Sequence, residues 1–150
     1  MSVIRFAIDL EGGKPPTKGR HRTTRLPGGG FRQYPDPDTA RWERVIRVHF
    51  HRVAPVRVLH GGPVVLSVTG FWPIPKSWPK WRKALAANET MPCIARGSGD
   101  HDNLAKIVAD ALEGRAYVND CQVFHGEQRK FYSPKPRLEV AVEFVEEAGR

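Results

Sequence analysis

Three stretches of the chain alternate apolar and polar residues at period two, and that alternation limits the possible fold more than any other feature of the sequence. In residues 3–10, Ile4, Phe6, Ile8 and Leu10 share one face against Arg5, Ala7 and Asp9. In 62–72, Val64, Leu66 and Val68 oppose Val65, Ser67, Thr69 and Phe71; in 138–145, Leu138, Val140, Val142 and Phe144 oppose Glu139, Ala141 and Glu143. Each reads as a half-buried strand, which needs a layer packed against its apolar side.

Helical periodicity supplies that layer. Asp36 and Pro37 suit an N-cap and first helical position, after which Trp42, Val45, Ile46, His49 and Val53 recur as a stripe until Pro55. A second stripe, Leu104, Ile107, Val108, Ala111 and Leu112, has Lys106, Asp110 and Glu113 facing away and Gly114 at its end. Ser77 is placed to cap a shorter helix through about Ala87. Strands first, middle and last, with helices between, predict an α+β fold: a mixed β-sheet with helices packed mainly on one face. The 150 residues make one domain, 1–150, large enough to bury roughly 70% of the surface of the unfolded chain.

The net charge of +8 is unevenly placed. Residues 1–99 carry 17 Lys and Arg against 6 Asp and Glu, whereas residues 100–150 carry 7 against 10. A basic part can neutralise phosphates while an acidic part gathers the cations that phosphates also attract, although many soluble proteins are basic without binding nucleic acid. Cys93 and Cys121 are isolated and lie at no zinc-ligand spacing, so free thiols in a reducing compartment are expected. Arg5 and Asp9 interrupt the first apolar run, and no later run is long enough to span a membrane. The expected location is the cytoplasm of a bacterium or of a phage-infected one.

Residues 11–35 hold Gly and Pro clusters and six cations, Lys14, Lys18, Arg20, Arg22, Arg25 and Arg32, with little to bury. A mobile basic loop is expected there, serving either as a phosphate-gripping arm or as a solvated insertion. Lys76, Trp78, Lys80, Trp81, Arg82 and Lys83 crowd a second segment. That mixture suits stacking on bases and gripping phosphates, and equally suits a helix with its tryptophans in the core. Lys14, Lys18, Arg20, Arg22, Lys76 and Lys80 are the DNA-binding candidates. His49 and His51 have no ligand partner at a useful spacing and read as structural or exposed.

The chemistry concentrates at Asp100 and Asp102. One Asp before a helix needs no catalytic explanation, since it caps a free N–H, but two cannot occupy the same cap. Both can direct oxygens to one side, and Asp120 returns after the helix has ended, so the three form a candidate site for a divalent cation. Asp120 is equally well explained as a turn residue. Lys106 is either a cation aimed at a scissile phosphate or half of an ordinary i,i+4 ion pair with Asp102. Asp110, one turn further, reads as a surface or salt-bridging residue before a metal ligand.

The run Gly99-Asp100-His-Asp102-Asn103-Leu104-Ala-Lys106-Ile-Val-Ala-Asp110-Ala111-Leu112-Glu-Gly114, followed by Tyr117-Val-Asn-Asp120-Cys-Gln122-Val123, resembles the signature of RusA-type Holliday junction resolvases, D-x-D-N-L-x-K-x-x-x-D-A-L then D-D-x-Q-V. Lys18-Gly-Arg20-His-Arg22 ahead of Tyr34 is similar to the family's basic N-terminal region, and Ile74-Pro75-Lys76-Ser77-Trp78 to a segment of its phage-borne members. The resemblance implies a RusA-like fold and a homodimer that binds four-way DNA junctions and makes paired nicks with Mg²⁺, for which Mn²⁺ substitutes. It implies Asp100, Asp102 and Asp120 as metal ligands and Lys106 as the active-site cation. Two positions depart from the pattern. Asn119 replaces the first Asp of the D-D pair, and Ser98-Gly99 replaces a common Lys-Pro, with Arg96 as a stand-in for the missing cation. These departures are what supports an alternative reading, a junction-binding protein without catalysis.

Overall fold

The computed structural model describes residues 2–17, 19, 22–34, 36–54 and 56–146. The three alternating segments become β1 (Ser2–Asp9), β4 (Val64–Pro73) and β6 (Arg137–Phe144). They join β5 (Val123–Ser133) in a four-stranded sheet of order β1-β6-β4-β5. β6 pairs antiparallel with β1 and β4, while β4 and β5 run parallel. The sheet is therefore mixed, as the sequence predicts. Parallel neighbours require a crossover connection, and the chain between β4 and β5 provides it with α2 (Lys80–Ala86) and α3 (Asn103–Leu112).

One face of the sheet carries Phe6, Ile8, Leu66, Val68, Leu138, Val140 and Val142, all buried. Against it lie α1 (Pro37–Val53) and α3, whose Ile46, Phe50, Leu104, Ile107, Val108, Ala111 and Leu112 complete the core. The opposite face holds short or charged side chains such as Arg5, Ala7, Ser67, Thr69 and Glu139, and among the described residues no helix covers it. The result is a single α+β domain of two layers. Gly70 marks how closely they approach: a Cβ there would stand 2.5 Å from the Trp72 ring and 2.7 Å from Leu104.

Asp36 and Pro37 start α1 as expected, with Thr39 N–H donating to the Asp36 carboxylate at 3.2 Å. The buried stripe differs from the predicted one. Phe50 is fully buried whereas Val53 is half exposed, because Ile46 and Phe50, one turn apart, point at the sheet. The short helix α2 begins after Pro79, not at Ser77; Trp78 N–H closes a turn onto Pro75 O before the helix starts. The tryptophans divide. Trp78 packs edge-on against Tyr132 with Arg82 over its ring at 3.7 Å, and Trp81 stays 67% exposed.

Within residues 11–35 the chain is more ordered than a loop. β2 (Arg22–Arg25) and β3 (Phe31–Tyr34) form an antiparallel ribbon, its turn made by three glycines at positive φ, Gly28 to Gly30. Arg22 anchors the ribbon's base to Asp36 at 3.0 Å. Pro15 and Pro16 are buried, so this stretch does contribute to packing. The ribbon itself is exposed throughout and carries Arg22, Arg25 and Arg32, with Phe31 72% exposed. Lys18 and Arg20 lie outside the described residues. No helix among the described residues is long and apolar enough to cross a membrane.

Candidate active site

The site gathers at the mouth and along the outer side of α3. Before the helix, a short 3-10 turn (Arg96–Ser98) leads into Gly99 at φ +80°, where a Cβ would press on the Asn103 side chain at 3.1 to 3.2 Å. Only glycine takes that conformation without strain. The reversed backbone then presents Asp100 and Asp102, both exposed. Asp102 is the N-cap residue of α3, yet its carboxylate makes no capping hydrogen bond.

Two residues of β5 hold this mouth in place. Gln128 Oε1 accepts from Ala105 N–H at 2.7 Å, and its amide nitrogen lies 3.4 Å from Asp100 O. Lys130 Nζ donates to Ser98 Oγ at 2.8 Å and to Gly99 O at 2.9 Å. An ammonium therefore sits directly beneath the residues preceding Asp100. Lys130 thus brings a cation to the Ser98-Gly99 segment that departs from the family pattern, while Arg96, the stand-in suggested by the sequence, is exposed on the turn just before it.

Asp120 arrives on a second 3-10 turn (Asp120–Gln122). Its local geometry is set by side chains that the spacing alone left unexplained. Asn119 caps the turn, accepting from Cys121 N–H at 2.9 Å. Gln122 Oε1 accepts from Val118 and Asn119 N–H, at 3.0 and 2.9 Å, and its Nε2 donates to His60 O at 2.7 Å and Gly62 O at 2.8 Å. Gln122 thus bolts the turn to the start of β4. Asn performs the capping task as well as Asp does, so the departure at 119 leaves the turn intact.

Lys106 joins the two parts. Its Nζ lies 3.2 Å from Asp120 and 3.3 Å from Asp110. The hydrogen bond to Asp120 first, and then the nearby Asp110 charge, outweigh partial burial and raise the lysine's pKa above 10.5. The i,i+4 partner of Lys106 is therefore Asp110, not Asp102. Asp110, Glu113 and Asp120 bring one carboxylate oxygen each to within 4.8 Å of one another. Asp100 and Asp102 do not join that tight group. Asp102 lies one turn, about 6 Å of helix rise, before Lys106. The structure accordingly sets out the acidic residues as two groups, Asp100 and Asp102 before the first turn of α3 and Asp110, Glu113 and Asp120 around its later turns, with Lys106 between them along the helix.

The donor chemistry suits a hard divalent cation, which takes carboxylate oxygens. Among the described residues no hydrogen bond or ion pair reaches the side-chain carboxylate of Asp100 or Asp102, whereas the Asp120 carboxylate is shared with Lys106. Of the DNA-binding candidates, Lys14, Lys76 and Lys80 are exposed, and Arg22 is 58% exposed while bonded to Asp36.

Fold and site together define a class: a basic α+β domain with an open acidic centre and a lysine within it. The sequence matches the family described as Endodeoxyribonuclease RusA over residues 12–143, and the chain belongs to that family. It is also 28% identical over 145 residues to YqaN of Bacillus subtilis (strain 168), an uncharacterized protein, covering 97% of this chain and 99% of that one.

Proposed function

We propose that the protein is a structure-selective endonuclease that resolves four-way DNA junctions by paired, divalent-metal-dependent phosphodiester hydrolysis in recombination and repair. The observation that carries this reading is the pair of exposed carboxylates, Asp100 and Asp102, unpartnered among the described residues at the mouth of α3, together with an Asp120 paired with Lys106, in a chain matched to an endodeoxyribonuclease family over 12–143.

In this reading Asp100, Asp102 and Asp120 hold Mg²⁺, or Mn²⁺ in its place. The cation supplies activation of water and neutralises charge on the phosphate. Lys106 contributes a fixed ammonium that stays protonated across the neutral range, orienting Asp120 through their hydrogen bond and offering a partner to a phosphate oxygen. Lys14, Lys18, Arg20 and Arg22 grip phosphates. Lys76 and Lys80 do so around α2, where the exposed Trp81 ring can stack on a base. A homodimer places two such centres on opposed strands.

The first test incubates purified protein with a labelled four-way junction, with and without Mg²⁺, beside Asp102→Asn. Paired nicks that need metal and vanish in the variant are expected, with junction binding retained. Wild-type cleavage by Asp102→Asn would remove the site assignment, and tight binding without nicks in either metal would favour the non-catalytic binder.

A further inference from the structure

The carboxylates at the mouth of α3 must be free if they are to hold a cation, and Asp102 stands where a carboxylate is ordinarily occupied. An N-cap Asp usually turns back onto the N–H of the second or third helical residue. The third helical residue here is Ala105, and its N–H is already taken: it donates to Gln128 Oε1 at 2.7 Å, from a strand 23 residues further along the chain. The same side chain approaches Asp100 O through its amide nitrogen at 3.4 Å.

We propose that Gln128 is a positioning residue that caps α3 from the sheet and, by occupying the Ala105 N–H, keeps the Asp102 carboxylate available to a divalent cation. The inference rests on the reading of Asp102 as a metal ligand. A neutral amide suits the task in two ways. Its oxygen accepts from the helix without adding a negative charge that would compete for the cation, and its nitrogen braces the Asp100 backbone at the same time. Strand register fixes its reach, because Gln128 pairs with Val68 in the middle of the parallel β4-β5 ladder and is not on a mobile loop. Without Gln128 the partly buried Ala105 N–H loses this acceptor, and the side chain of Asp102, the N-cap three residues before it, is the group that helix capping would recruit in its place. The helix then gains a conventional cap at the expense of a metal ligand.

Gln128→Ala and Gln128→Glu of the full chain separate this role from simple stability. In a crystal structure of Gln128→Ala, the Asp102 carboxylate is expected within hydrogen-bond distance of Ala105 N. The Mg²⁺ concentration for half-maximal junction cleavage should rise about tenfold or more, the range expected for residues that orient metal ligands, while the rate at saturating Mg²⁺ stays near wild type. Gln128→Glu keeps the acceptor and should return the Mg²⁺ requirement part of the way. A carboxylate that stays off the helix in Gln128→Ala, or an unchanged Mg²⁺ requirement, overturns the proposal. Wild-type cleavage by Asp102→Asn is a different failure, because it removes Asp102 as a ligand and leaves the capping geometry to be judged by the crystal structure alone.

Discussion

The two ends of α3 are held by opposite means. At the C-terminal end, Ile107, Val108, Ala111 and Leu112 are fully buried. The carbonyls there are taken up by side chains from distant segments: Tyr117 hydroxyl donates to Ala109 O at 2.7 Å, Arg47 to Ala111 O at 2.9 Å and Arg57 to Gly114 O at 2.7 Å. Burial pushes the Tyr117 phenol well above its ordinary pKa, so it remains a donor at any physiological pH. At the N-terminal end Asp100 and Asp102 are exposed, and two polar side chains of β5, Gln128 and Lys130, hold the backbone around them. The buried end is held by apolar packing, whereas the geometry of the open end depends on a few hydrogen bonds.

The sharpest way to break this contrast is to empty the buried end. Leu112→Ala should cost about 2–5 kcal/mol, the range for truncating a fully buried leucine, as read from denaturant unfolding. Any loss of cleavage in that variant should follow the unfolded fraction and be recovered when the folded state is restored by cooling or stabilising solute. A cost below about 1 kcal/mol would mean that the C-terminal end is not the anchor.

The same contrast explains what could be read from the sequence. β1, β4 and β6 were legible because each buries one face, so their pattern alternates. β5 escaped notice because it is an edge strand: its helix-side residues Gln128 and Lys130 are polar, and so are Glu127 and Arg129 on the other side, which leaves no apolar period. Asp100, Asp102, Lys106 and Asp120 were legible as residue types at a particular spacing. Their supports were not, since Gln128, Lys130 and the Gln122 anchor onto His60 and Gly62 act across long sequence separations. The convergence of Asp110 and Glu113 on Asp120 was hidden for the same reason. Helical spacing puts Asp110 on the outer face, and only the return of the chain through the buried Tyr117 brings Asp120 alongside.

A change at the open end should behave differently from one at the buried end. Gly99→Ala places a side chain at φ +80° and against Asn103. The conformational strain is about 1–3 kcal/mol, since φ +80° with ψ 173° is a region held almost only by glycine, and the turn is expected to relieve it by moving. Cleavage should therefore fall by more than the stability loss explains, with global unfolding shifted only modestly and junction binding kept. Comparing unfolding with single-turnover cleavage on one preparation checks this. Parallel losses in both would show that the mouth and the core are one cooperative unit.

The smallest effect is expected at the far end of β5, which serves as a control for polar clamping away from the site. Glu89 accepts from Ser133 Oγ at 2.6 Å and pairs with Arg137, whose guanidinium also lies 3.8 Å above the Phe71 ring. Arg137 first, and then Ser133, hold the Glu89 carboxyl below its ordinary value of 4.5. A depressed carboxylate stabilises the fold fully above its unfolded pKa and loses that contribution as the pH falls through the depressed folded value. Because Glu89 is about one-third exposed, the contribution is about 1 kcal/mol or less. Glu89→Gln should thus be slightly less stable than wild type at pH 7, and the difference should shrink steadily below pH 4.5. Cleavage at pH 7 should be unaffected, since this clamp fixes the end of the strand and not the mouth of α3. Thermal unfolding across that pH range, paired with cleavage at neutral pH, measures both. A marked loss of cleavage in Glu89→Gln would show that strain at one end of β5 reaches Gln128 and Lys130, and that the two clamps on this strand act together.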